Sequence, residues 1–210
     1  GWSMPAELTC PGASECCLKF CYGLTGRYRM PNVKNAHQRN YQISKSEHFV
    51  SWMSGMIRDF CVTTFRIDVV GDFYDEVYTD KWHQVVKANR RVKFFAYTRS
   101  WTKPSLFAPL VGLGNEKNMR LWFSFDSTMP VPPRIRGIRR CYLSTSDTDM
   151  PPPGTANLIF RDNQETVLKY SPEGVQICPY DNGVTATTCS KCKLCWAKKP
   201  GPARKAVSLE

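Results

Sequence analysis

The chain has 210 residues, with 29 Lys and Arg against 18 Asp and Glu, a net charge of +11 and 10 cysteines. That length suits one domain with a real core, or a domain plus a small metal-pinned appendage, and the cysteine density excludes a small disulfide scaffold. No stretch approaches a bilayer span, and Gly1-Trp-Ser-Met-Pro is not a basic segment followed by an apolar one, so the expected compartment is the reducing cytoplasm, where clustered cysteines mean metal or redox chemistry.

The first informative stretch is Glu7-Leu-Thr-Cys10-Pro-Gly-Ala-Ser-Glu-Cys16-Cys17-Leu-Lys-Phe-Cys21-Tyr-Gly. Cys10, Cys17 and Cys21 are separated by six and three residues, with Cys16 as an extra neighbour. Three thiolates on a cluster leave one iron open to a small ligand, and a fourth would close it. Cys17 is favoured over Cys16, because adjacent side chains diverge and do not comfortably ligate one cluster. Residues 24–43 carry Arg27, Arg29, Lys34, His37 and Arg39 and read as an irregular basic loop, either solvated or reaching a phosphate. Ser44-Lys-Ser-Glu47 reads as a capping box opening an amphipathic helix. Phe49, Trp52, Met53, Met56, Ile57 and Phe60 form its expected core stripe, with Cys61 a buried spectator at its end.

A repeated unit then follows. Phe65-Arg-Ile-Asp-Val-Val-Gly71-Asp72 is a strand ending in a Gly-Asp corner, and Asp75 caps a helix turned inward through Tyr78, Trp82, Val85 and Val86. Residues 92–100 form a second strand, Pro104 opens a short helix limited by Pro109, and residues 120–127 form a third strand. Residues 140–147 and 156–162 are a fourth and fifth, and a short strand before Cys10 makes six. Alternating strands and helices predict an α/β fold with a parallel sheet, whose ligands gather at the carboxyl ends of the strands. Asp72, Thr98, Arg99, Ser100, Ser124, Asp126, Ser144 and Arg161 all fall there. Prolines at 130, 132, 133 and 151–153 leave no room for full crossover helices, so the second half is expected to be open, irregular or partly antiparallel.

The chain ends in Cys178, Cys189, Cys192 and Cys195, the last three recurring every third residue. Such spacing suits an iron–sulfur cubane; zinc takes two knuckles more often, and disulfides are the remaining alternative. Lys191 and Lys193 partly offset the thiolate charge. Basic residues also bunch at Arg134, Arg136, Arg139 and Arg140, and at Lys198, Lys199, Arg204 and Lys205. Nucleic acid or a phosphorylated small molecule is the matching partner, with solubility and charge compensation as the alternative.

Cys-Pro-Gly-Ala…Cys…Cys-Tyr-Gly from Cys10 to Gly23, Arg-Ile-Asp-Val-Val-Gly-Asp-Phe from Arg66 to Phe73, Tyr-Thr-Arg-Ser from Tyr97 to Ser100 and the terminal Cys-x-x-Cys-x-x-Cys resemble the phage gene product 88 family over most of the chain. More distantly the pattern resembles radical S-adenosylmethionine (SAM) enzymes. That resemblance implies a partial (β/α)6-like TIM-type barrel with a Cys-rich N-terminal loop and a Cys-rich C-terminal extension, divided as 1–165 and 166–210. It implies one or two [4Fe-4S] clusters, with Cys10, Cys17 and Cys21, and Cys16 as a further candidate, holding one; Cys178, Cys189, Cys192 and Cys195 hold the auxiliary cluster. It implies SAM as cosubstrate, with Gly71 and Asp72 holding its amino group, Arg99 or Arg161 a carboxylate or phosphate, and Asp126 a ribose or a proton. Thr98, Ser100 and Ser124 complete the cofactor mouth. Three functions follow as expectations: a radical-SAM-like enzyme on a nucleic-acid, nucleotide or other substrate, a nucleic-acid-binding protein with structural iron–sulfur or zinc sites, and an electron-transfer or redox-sensing protein with an electron-donor partner. For a phage protein the compartment would be the host cytoplasm.

Overall fold

A computed structural model describes residues 1–161, 175–181 and 188–197. Its centre is a six-stranded, all-parallel sheet in sequential order: β1 (Thr64–Arg66), β2 (Lys93–Thr98), β3 (Met119–Phe125), β4 (Arg139–Ser144), β5 (Leu158–Arg161) and β6 (Gln176–Ile177). Each strand lies beside the next in sequence, which winds the sheet in one direction and curls it into a half-barrel.

Before β1 come the short helix α1 (Glu15–Lys19) and the longer α2 (Pro31–Lys45) and α3 (Phe49–Asp59). Helix α4 (Glu76–Ala88) joins β1 to β2, and α5 (Pro104–Gly114) joins β2 to β3. A one-turn helix, α6 (Cys189–Cys192), lies near the C-terminus. The helical layer meets one sheet face. Asp75 caps α4 by accepting from the Tyr78 N–H at 2.7 Å, and Tyr78, Trp82, Val85 and Val86 are buried as expected. They meet Phe65, Phe94, Leu121 and Phe123 in the main core.

Several expectations are corrected. Residues 31–45 are helix, not loop: Pro31 stands at the first helical turn, where its missing N–H costs nothing. The Ser44–Glu47 capping box therefore does not form. Ser44 closes the last turn of α2, and the Lys81 ammonium donates to the Ser44, Lys45 and Ser46 carbonyls at 2.9–3.0 Å, capping that end from α4. Of the expected α3 stripe only Phe49, Met53 and Ile57 are buried, whereas Trp52, Met56 and Phe60 face outward and Cys61 is exposed in a left-handed turn at φ 50°. Helix α5 runs through Pro109. An interior proline costs about 3 kcal/mol, and burial of Leu106, Leu110 and Leu113 contributes about 1.5–3 kcal/mol each, so packing wins.

The second half of the sheet is parallel throughout the described strands, and the connections 126–138 and 145–157 contain no helix. Met129, Ile135, Ile138 and Met150 cover the core there in place of helices. The sixth strand is the late segment Gln176–Ile177 and not the N-terminus. Residues 2–4 instead run beside residues 66–70, through Trp2 N–H to Arg66 O and Met4 N–H to Val70 O, and shield that edge.

Candidate metal centre

Alternate residues of a strand share a face. On the face away from α4 and α5, β2 presents Phe95, Tyr97 and then Arg99, and β3 presents Arg120, Trp122, Ser124 and then Asp126. This column runs from one thiol set to the other.

At its upper end the strand ends are tied together. Asp72 is buried, and its carboxylate accepts from the Phe73 N–H at 2.7 Å, the Arg99 N–H at 2.8 Å and the Ser100 N–H at 3.2 Å, with the Thr98 hydroxyl as a further partner. Burial still pushes its carboxyl above the ordinary value. Gly71 needs its φ of +90°, and a Cβ there would stand 2.6 Å from Met4 and Thr9 side chains. Arg99 pairs with Asp126 in the interior, their side chains 7% and 0% exposed. Asp126 also accepts from the Ser14 hydroxyl at 2.5 Å and the Thr128 hydroxyl at 2.6 Å. Burial raises the Asp126 carboxyl, but the bonds from Ser14 and Thr128 and the Arg99 guanidinium outweigh it and hold the group below its ordinary value.

Through Ser14, which also caps α1 by accepting from the Cys17 N–H at 2.9 Å, this pair anchors the N-terminal cysteine loop over the strand ends. Gly12 allows the close approach: a Cβ there would overlap the Arg99 carbonyl and stand 2.6 Å from the Ser100 nitrogen. Gly12→Ala is expected to destabilise the fold by about 1–3 kcal/mol, the usual cost of overpacking, read as a lowered thermal midpoint.

Cys10, Cys17 and Cys21 interact electrostatically with one another; Cys16 is instead coupled to Asp126, Arg99 and Asp149. Successive residues of α1 point about 100° apart, so the two side chains face different neighbours. Burial, with Asp72 beside it, pushes the Cys10 thiol up to about 12.

The second set lies at the lower end. Cys178 directly follows β6, Cys189 and Cys192 stand on α6, and Cys195 comes after it; with Pro179, Tyr180, Leu194 and Trp196 they line one cavity. Lys193, at φ 58°, reverses the chain after α6 so that Cys195 turns back toward Cys178. The module seats on the free sheet face: Trp122 Nε1 donates to the Cys195 carbonyl at 2.9 Å, and the Trp196 ring lies 5.0 Å from Phe95. Arg139, over the Trp122 ring, donates to the Ala197 carbonyl at 2.6 Å. Burial pushes the Cys178 thiol up to about 12, with Asp181 adding to it. Among the described residues, no three His, Cys, Asp or Glu side chains stand close enough together to grip a metal ion.

Other expected site residues go elsewhere. The Ser124 side chain reaches the fully buried Cys141, Ser144 donates to the Ser146 carbonyl at 3.0 Å, and Arg161 pairs with Asp147. Of the basic run, Arg140 is buried and donates to the Gly154 carbonyl, as Arg134 does. Lys198, Lys199, Arg204 and Lys205 lie outside the described residues. Sequence reasoning missed Ser14 and the link between the thiol sets. Arg66 stands between the sets: it donates to Tyr22 Oη at 2.9 Å, next to Cys21, and lies over the Tyr97 ring, whose hydroxyl turns toward Cys195. The signal was the alternation Arg120, Trp122, Ser124 against Leu121, Phe123, Phe125.

Maleimide labelling of the metal-free chain is expected to reach exposed Cys61 and Cys189 first and Cys141 last, with Cys10 and Cys178 lagging until the pH approaches their raised values. Peptide mass spectrometry over a pH series reads the order.

The family described as Gene product 88 matches residues 1–198. The chain is 27% identical over 154 residues to the Gene 88 protein of Mycobacterium phage L5, covering 66% of this chain and 62% of that relative. It is also 27% identical over 152 residues to the Gene 88 protein of Mycobacterium phage D29, with the same coverage. The matched region is thus less than two thirds of the length of either relative. No solved structure matches.

Proposed function

The chain belongs to the gene product 88 family, whose phage members are named for a gene and not for an activity, and from its own residues we propose that it is an iron–sulfur protein with two cubane sites. The observation that carries the reading is the convergence of Cys178, Cys189, Cys192 and Cys195, drawn from two segments, on one cavity. Around a single zinc, bonds of about 2.3 Å hold thiolates about 3.8 Å apart. A cubane presents four separate irons, and the every-third spacing of Cys189, Cys192 and Cys195 with Cys178 on the same cavity suits it. Cys178, Cys189, Cys192 and Cys195 would hold a closed cluster. Cys10, Cys17 and Cys21 would hold the second and leave one iron for a small ligand at the strand ends. Arg66, Arg99 and Arg139 nearby would offset the added negative charge.

When bound, such clusters supply one-electron chemistry. The protein would orient the N-terminal set through Ser14 and Gly12, and keep water from the C-terminal set with Trp122, Trp196 and Phe95. The residues expected to grasp SAM do not fit it as they stand. Asp72 is bonded through both oxygens, and Arg99 and Asp126 hold each other, so no step is derived through that cosubstrate. Electron transfer is a second reading, favoured by the Tyr22–Arg66–Tyr97 link between the thiol sets.

The test is electron paramagnetic resonance on anaerobically reconstituted, dithionite-reduced protein, with iron and sulfide analysis. Two cubane signals support the reading. A shift of one signal on adding SAM would return the radical-SAM reading despite the internal bonds of Asp72. Zinc without iron overturns the proposal.

A further inference from the structure

The fold turns an expected loop into a helix, and that helix has an unusual free face. No Asp or Glu occurs between Glu15 and Glu47, whereas Lys19, Arg27, Arg29, Lys34, Arg39 and Lys45 do. Helix α2 buries His37 and Ser44 and turns Tyr41 inward toward Tyr74. Its opposite face exposes Asn35, Gln38, Arg39 and Gln42, spaced i, i+3, i+4, i+7 as one stripe. Lys34 and Lys45 flank the stripe on the helix, and Arg27 and Arg29 precede it, all exposed. None of these cations is in an ion pair among the described residues.

A face that serves only solubility usually mixes both signs. This one has cations and amides alone. A membrane-surface helix needs an apolar face turned to lipid, and the inner face of α2 is spent on the protein. Duplex DNA fits better. Asn and Gln side chains pair bidentately with adenine, and Arg with guanine, on major-groove edges. Lysines and arginines flanking such a stripe meet phosphates and fix register. The 15 residues of α2 span about 22 Å at 1.5 Å per residue, and a groove about 12 Å wide admits a helix.

We propose that α2 is a DNA-binding helix, its Asn35, Gln38, Arg39 and Gln42 stripe facing the major groove of duplex DNA and its flanking cations on the phosphates. The inference does not depend on the iron–sulfur reading.

The test compares two charge-matched variants of the full chain by fluorescence anisotropy with a labelled mixed-sequence duplex. Arg27→Ala, Lys34→Ala, Lys45→Ala removes three of the cations that flank the stripe; Arg58→Ala, Arg90→Ala, Arg91→Ala removes three exposed cations elsewhere. All six are surface positions, and far-UV circular dichroism checks that both variants fold. The first is expected to weaken binding at least tenfold and to flatten the log–log salt dependence by about 2.7, three phosphate contacts at about 0.9 each. The second is expected to stay within about twofold of the parent, since charge remote from the contact acts only through the screened field. Equal losses in both variants overturn the proposal, as does absence of duplex binding by the parent. Tighter binding of the matching single strand, or equal loss on anionic vesicles, overturns the groove assignment.

Discussion

Cys192→Ser is expected to halve the iron and sulfide of the reconstituted protein, from about eight irons per chain to about four. The size of the effect follows from how the site is assembled. Cys189 and Cys192 stand on a single turn of helix, with Cys178 brought in from the end of β6 and Cys195 after the Lys193 reversal. One missing thiolate in such a set leaves an iron without its protein ligand, and serine replaces it poorly at a soft site. The N-terminal set is assembled separately on α1 and the strand ends, so its signal should persist. Cys61→Ser, at an exposed cysteine remote from either set, should leave the iron content unchanged. A Cys192→Ser protein that keeps all its iron would remove the C-terminal site from the proposal. Loading should also depend on pH, because burial keeps the Cys178 and Cys10 thiols protonated, near 12, and ligation must displace those protons. The raised thiols have a further consequence for the metal-free chain. A folded-state value above the ordinary 9.0 means that the folded chain holds protons the unfolded one has released, so stability falls as pH rises from about 9 toward 12.

Much of this architecture was legible because local chemistry and global packing agree. Asp75 followed by Tyr78, Trp82, Val85 and Val86 announces a capped amphipathic helix, and it is one. Alternating strands and helices announce a parallel sheet, and of its polar strand ends Asp72, Arg99 and Asp126 do meet at one edge. What was illegible has tertiary causes. The Ser44–Glu47 capping signal lost to the continuation of α2, whose end is capped by Lys81 from 36 positions further along. The outward half of the α3 stripe looked like core because Trp52, Met56 and Phe60 keep helical spacing whatever they face. The polar residues at the mouth were read as free to hold a ligand, and only their mutual bonds reveal that most are committed to the fold. The seating of the C-terminal cysteines against Trp122 and Phe95 joins segments about 70 to 100 residues apart, a contact no local pattern records.

Asp126→Ala is expected to destabilise the protein by about 3–5 kcal/mol, the cost of stranding one member of a buried ion pair. Asp126 is fully buried at its side chain, and its loss would leave the Arg99 guanidinium in the interior with only the Ser14 hydroxyl and the Met129 sulfur near Nη1. Asp126→Asn keeps one acceptor oxygen, which can still receive the Ser14 hydroxyl but gives up the Thr128 bonds at the other oxygen, and should cost less. The double variant Arg99→Ala, Asp126→Ala should be more stable than Asp126→Ala alone, since it removes the orphaned cation together with its partner. Chemical denaturation of the three variants reads this ordering, and equal stability of the single and double variants would refute the pair's role. The pH dependence carries a sign. The folded Asp126 carboxyl sits below its ordinary value of 3.8, so its contribution is present in full above that pH and is lost as pH falls through the depressed value. Asp126→Ala should therefore show a shallower acid transition than the parent. Because Asp126 also holds Ser14, the same variant should release the N-terminal loop. Its N-terminal cluster signal should weaken while the C-terminal signal stays, and restoring the hydrogen-bond acceptor with asparagine should recover the cluster before it recovers the full stability. A loop held by charge alone would instead give asparagine no advantage over alanine in cluster content.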